Sequence, residues 1–213
     1  MLPTLAMILW LPLVVSSSTA NLYTYTIQEE SWVSLSGSSN VNTFECFSNS
    51  KFSKGDLIVN VNSSDKEINF SNALMNLNIK SFDCKNPILN KDLYKALGAE
   101  DAPYISIELI DAKPTRQMQI GPTLVGTIYA TIAVTINSKC KMMEIPIDWQ
   151  RVGPEKFRFT GSKELSMTDF DITPPSPAFG LIKVNNQIAI SFSMLVEANS
   201  TILAESNDNF LRK

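Results

Sequence analysis

A chain of 213 residues, 44% hydrophobic and 18% charged, is long enough to bury one sizeable core and short enough to be one domain. Its 18 basic against 21 acidic residues leave a net charge of −3 with no Lys/Arg run, which gives little electrostatic footing for an anionic membrane or for nucleic acid, and no nucleic-acid partner is expected. Histidine is absent, which removes the Ser-His-Asp triad, the Cys-His dyad and every histidine-based metal site, and points away from an enzyme; only carboxylate, Ser-Lys or metal-carboxylate chemistry is left.

In chain order, residues 1–20 come first. They contain an apolar run from Leu5 to Val15, followed by small residues, with Ser18 and Ala20 at the −3 and −1 positions of a cleavage site. The run is too short to span a bilayer, and the segment carries no Lys or Arg, only the terminal amine. It reads as a cleaved export signal, giving a periplasmic or secreted chain from Asn21 with no integral membrane span; the alternative is a buried N-terminal strand or helix.

Strands are predicted over Tyr25–Leu35, Leu57–Asn62, Ala73–Ser81, Tyr104–Asp111, Leu124–Ile136, Met142–Gln150, Lys156–Leu165 and Asn186–Glu197. The clearest is Leu124–Ile136, where Leu124, Ile128, Ile132, Val134 and Ile136 share one face and Thr127, Thr131 and Thr135 the other. On Asn186–Glu197, Ile188, Ile190, Phe192, Met194 and Val196 share a face. Turn signals separate the strands at Ser36–Gly37, Lys54–Gly55, Gly121–Pro122, Asn137–Ser138 and Gly153–Pro154. One segment changes period: Asn86–Ala99 places Ile88, Leu89, Leu93, Ala96 and Leu97 at helical spacing, with Gly98 to close it. Asp171–Pro177 is a rigid loop before the last strand, and Glu205–Lys213 is a polar end. Long alternating strands with a single helix predict an all-β fold, an eight-stranded antiparallel barrel over about residues 25–197 of a single domain 21–213, with a tail over 199–213.

The three cysteines lie in the exported part. Cys46 and Cys84 have similar surroundings, FECFSN and SFDCKN, and are the expected disulfide, with Cys140 left over; three unpaired thiols are the alternative. Other motifs fail on inspection. Ser48–Lys51 and Ser138–Lys141 fit SxxK without KTG or SDN partners, and Gly121–Gly126 has P-loop glycine spacing with Thr127 in place of Lys. Asp169 and Asp171 are two carboxylates without further ligands, so no metal site is expected. Sequons stand at Asn62, Asn69 and Asn199.

Four segments resemble the YceI-like family: Leu35–Cys46, Phe82–Leu109 with its Pro103-Tyr104-Ile105 motif, Gly121–Val134, and Phe179–Phe192. Together they span about residues 25–197. The resemblance implies an extended, lipocalin-like barrel holding a polyisoprenoid or an isoprenoid quinone in its lumen, without cofactor or catalytic residue, and open to homodimerisation. The family's His-Gly strand and Arg-containing helix entry are replaced here by Ser36-Gly37 and Asn86-Pro87.

Physics alone supports a ligand lumen. Trp32, Phe44, Phe70, Phe82, Tyr94, Leu97, Tyr104, Ile128 and Phe179 are the candidate lining residues, with the Asn86–Ala99 helix and the Asp171–Pro177 loop closing the ends. At ~0.8 kcal/mol per buried CH₂, ten buried carbons give roughly 8 kcal/mol, enough for micromolar binding before ordering costs. Against this stands a barrel filled by its own side chains, an envelope module without ligand.

Overall fold

The computed structural model describes residues 19–52, 54–62 and 67–201. Residues 1–18 of the expected export signal, the sequon residues Ser63 and Ser64, and the end Glu205–Lys213 lie outside the described residues. Among the described residues twelve antiparallel strands form: β1 (Thr19–Ile27), β2 (Trp32–Ser39), β3 (Thr43–Ser48), β4 (Lys54–Asn62), β5 (Glu67–Ser71), β6 (Leu74–Asn78), β7 (Phe82–Asp83), β8 (Tyr104–Ile120), β9 (Thr123–Ile136), β10 (Lys139–Arg151), β11 (Lys156–Ser166) and β12 (Val184–Thr201). Helix α1 (Pro87–Ala96) lies between β7 and β8.

These twelve segments make eight staves of one ring. β12 pairs with β2 through its first half and with β1 through its second. β3 pairs with β2 and β4 with β1, forming the next stave. β7 pairs with β3 and β5 with β4, while β5 and β6 both pair with β8. From β8 the strands run singly through β9, β10 and β11 back to β12. Twelve strands stand where eight were expected, and among the described residues the fold is the predicted all-β antiparallel barrel with one inserted helix.

The first three staves are broken because their sequence turns. The pattern over Tyr25–Leu35 predicts one strand, but Ser31 N–H donates to Gln28 O at 3.0 Å and separates β1 from β2. The run Ala73–Ser81 ends early, because Asn78 caps a 3₁₀ turn at Ile79–Ser81 by accepting from Lys80 N–H at 2.8 Å. β3 and β5 escape the pattern reading because six and five residues give alternation little room. β8 is longer than Tyr104–Asp111. Irregularities at Leu109/Asp111 and Pro114/Gln117 shift its register, so inward and outward positions exchange, and Pro114 sits where a donor is dispensable.

Tight hairpins set the register of the long strands. Asn137 and Ser138, at φ 49° and 59°, both take the left-handed conformation that a two-residue turn between β9 and β10 requires. Gly121, at φ 58°, does the same before Pro122 between β8 and β9. The glycines of Gly121–Gly126 therefore belong to a hairpin, not to a strand-loop-helix that could cradle phosphate.

Helix α1 begins where Asn86 Oδ1 accepts from Ile88 and Leu89 N–H at 3.0 and 3.2 Å, with Pro87 at the first helical position. It ends as Ala99 N–H donates to Tyr94 O and Gly98 N–H to Lys95 O, with Gly98 at φ 68°. A Cβ on Gly98 would sit 2.7 Å from Asn137 Oδ1, so the helix end is pressed against the β9–β10 hairpin. The disulfide Cys46–Cys84 ties β3 to the chain just before α1, and Cys140 is free and exposed.

Candidate ligand-binding lumen

Inward side chains follow the alternation of each long strand. Ile107 and Leu109 on β8, Ile132 and Val134 on β9, Ile145 on β10, Leu165 on β11 and Ile190 and Met194 on β12 enter the two apolar clusters that fill the barrel. Where these clusters meet, a cavity of about 180 Å³ remains. Six adjacent staves line it, and its wall is apolar except for Lys163. Met75, Met143 and Met194 contribute flexible, polarisable surface.

The wall has a seam. β10 pairs with β11 only from Ile147–Gly161 to Arg151–Phe157. Residues 139–146 of β10 pair with β9 alone, and residues 162–166 of β11 with β12 alone. Met143 and Ile145 form one lip and Lys163 and Leu165 the other, and all four line the cavity. Lys163 Nζ donates to Glu144 O at 2.8 Å across the gap. At the head of the seam Lys139 Nζ pairs with Asp171 Oδ2 at 2.7 Å. Asp171 sits at φ 56° after the 3₁₀ turn Met167–Phe170, so it is an ion-pair partner rather than a cation ligand.

One end of the barrel is plugged. Leu89, Leu93, Ala96 and Leu97 of the helical segment face Ile172, Pro175 and Pro177 of the loop across a small residual space of about 50 Å³. The helix and the loop, expected to close the two ends, close the same one. Tyr94 fixes the helix there, its hydroxyl donating to Phe82 O at 2.7 Å and lying 3.1 Å from Lys80 O. Burial, and secondarily the charge of Asp83, raises this phenol above its ordinary 10. Asp83 itself is held down at about 2 by hydrogen bonds from Asn90 and then Lys85.

The candidate lining residues divide accordingly. Phe82 and Leu97 are buried in the larger cluster, where Phe44 and Tyr94 also pack. Phe70 and Ile128 pack on the smaller cluster around Ala112, Ala130 and Ile145. Three stand elsewhere. Trp32 is 38% exposed on the outer face, edge-to-face with Phe47 at 5.9 Å, because Val33 and Leu35 carry the inward register. Tyr104 is 51% exposed above a shallow outer cleft, because Ile105 points in. Phe179 is wholly exposed on the loop before β12, where Ala178 and Phe179 both take positive φ. None of the nine directly lines the 180 Å³ cavity. Of the residues that do, Ile132, Val134, Ile190, Phe192 and Met194 alternate along β9 and β12 and were legible as strand faces.

No helix among the described residues is long and apolar enough to cross a membrane, and no group of three His, Cys, Asp or Glu among them could hold a metal. A family model described as the YceI-like domain matches residues 25–196. No curated protein matches the chain in sequence. Among solved structures, it is similar to BcnA of Burkholderia cenocepacia, at 19% identity and TM-score 0.54, covering 78% of this chain and 96% of that one. It is also similar to a polyisoprenoid-binding domain of Saccharophagus degradans implicated in plant cell wall breakdown, at 9% identity and TM-score 0.55, covering 83% and 98%. At these identities the two structures bear on the fold alone.

Proposed function

Because the chain belongs to the YceI-like domain family, we propose that it is an exported, non-enzymatic binding protein that carries or stores an apolar, isoprenoid-like lipid in the barrel lumen. The observation that carries this reading is the 180 Å³ apolar cavity in mid-barrel. A barrel built only for rigidity gains nothing from such a void, since each unfilled methylene forfeits packing energy. The name of the Saccharophagus domain points to the same ligand class. Export is supported by the signal-like residues 1–20 and by the Cys46–Cys84 disulfide, a bond that persists in oxidising compartments.

At about 180 Å³ the cavity is small for a lipid, so a long chain must repack the methionines or extend beyond the void. Formed ligand pockets run from roughly 300 Å³ upward. The alternative, an envelope interaction module with a filled barrel, draws on the plugged end and the two clusters that occupy most of the interior.

Native purification, solvent extraction and mass spectrometry separate the two. The carrier reading expects about one equivalent of a lipid from the wild type, and none from Ile132→Phe combined with Ile190→Phe, which fill the void. A wild-type protein that is empty and takes up nothing from a lipid extract would favour the filled barrel.

A further inference from the structure

Lys163 occupies an unusual position. Its stem is half-buried in the wall of an apolar cavity, yet its ammonium emerges at a stretch of wall where two neighbouring strands are not hydrogen-bonded and both lips line that cavity. Long cationic side chains take this arrangement when the charge must reach a polar medium. Four lysines of the described residues pair with acidic side chains, and Lys163 is not among them. Among the described residues its hydrogen-bond partner is a neutral main-chain carbonyl, Glu144 O. Across the seam the lips are apolar on the lumen side, through Met143, Ile145 and Leu165. The edge of β10 there offers no second strand, and Pro146 has no N–H to offer one.

Resting on the lipid-binding reading above, we propose that the β10–β11 seam is the mouth of the lumen and Lys163 its head-group anchor, selecting an amphiphile with an anionic phosphate or carboxylate head. The tail lies along the cavity wall. The head stays at the seam and replaces Glu144 O as the acceptor for the ammonium, exchanging a neutral acceptor for a charged one. Charge-assisted hydrogen bonds are about twice as strong as neutral ones, so the exchange favours the anion. The seam also resolves the volume problem: a cavity too small for a whole lipid holds the first part of a tail if the rest leaves through an open side. Lys139, already paired with Asp171, does not compete for the head.

The test uses the exported chain and two probes with one tail, farnesol and farnesyl phosphate, titrated by calorimetry. The wild type is expected to bind farnesyl phosphate roughly tenfold tighter than farnesol or more, the factor for one charge-assisted hydrogen bond. Lys163→Met is expected to bind both probes equally, at the wild-type affinity for farnesol, while Lys163→Arg keeps the preference. Inorganic phosphate at the same concentration should not displace farnesyl phosphate; if it does, the site is a plain anion site and the amphiphile proposal falls. Equal wild-type affinity for the two probes would overturn the anchor and leave the lipid lumen standing, and it requires no variant to fold. An unchanged preference in Lys163→Met would do the same. A wild type that binds neither probe would overturn the lumen reading itself, and the anchor with it.

Discussion

Single side chains decide how the plugged end is held. Asp83 collects the Asn90 amide at 3.0 Å and both the backbone and ammonium of Lys85, which together lower its carboxyl to about 2 from 3.8. A group depressed in this way stabilises the fold above its unfolded value, and the contribution disappears as pH falls through about 2. The Asp83 carboxyl is therefore expected to titrate with a midpoint near 2 by NMR. Asn90→Ala, which removes the largest cause, should move that midpoint upward toward 3.8. At this scale the sequence was only partly legible. Gly98 as helix stop and the Asn137–Ser138 turn were readable because each residue type has a local backbone reason to be there. Which side of β2 or β8 faces inward was not. Trp32 and Tyr104 are outside because alternation gives two equivalent phases and only the partner strands choose between them.

Strands and the helix carry a different kind of information. The long strands β9, β10, β11 and β12 were readable almost to their ends, since each repeats its alternation many times. The broken staves were not, because a short strand with a local turn looks like an irregular loop until its ladder partner is known. The disulfide acts at this level, joining β3 to the start of α1 across a sequence separation of 38. In the chain-entropy model, closing such a loop contributes about 4 kcal/mol by restricting the unfolded chain. Replacing both Cys46 and Cys84 by Ala should lower the unfolding free energy by about that amount in chemical denaturation, without changing the far-ultraviolet spectrum of the folded barrel. The seam makes a separate prediction for β10. Hydrogen exchange should be faster at the seam-facing amides of residues 139–146 than at those of 147–151, which are laddered on both sides. Equal protection along the whole strand would mean that the seam is closed in solution.

For the molecule as a whole, an all-β barrel with an inserted helix could be argued from strand length and period, since sandwich strands run shorter and turn more often. The open stretch between β10 and β11 could not. Met143, Ile145 and Ile147 keep one two-residue period across the end of the ladder, and nothing in the sequence distinguishes a residue hydrogen-bonded on two sides from one bonded on a single side. The cavity was likewise invisible, because it depends on the volumes of side chains from six staves meeting at one level. Function inherits this limit: the family resemblance points to a lipid, whereas the place where a polar head could rest comes from the missing rungs and from Lys163 beside them.

The ring is completed by its first and last strands, with Leu22 opposite Thr201 and Ile27 opposite Val196. Since they run antiparallel, residues 22 and 201 leave the ladder side by side. A pull applied between them would load one rung at a time, as in opening a zip, instead of shearing all the rungs together. Resistance to such a pull is thus that of one rung at a time and never the sum of the closure, however firmly the rest of the wall is laddered.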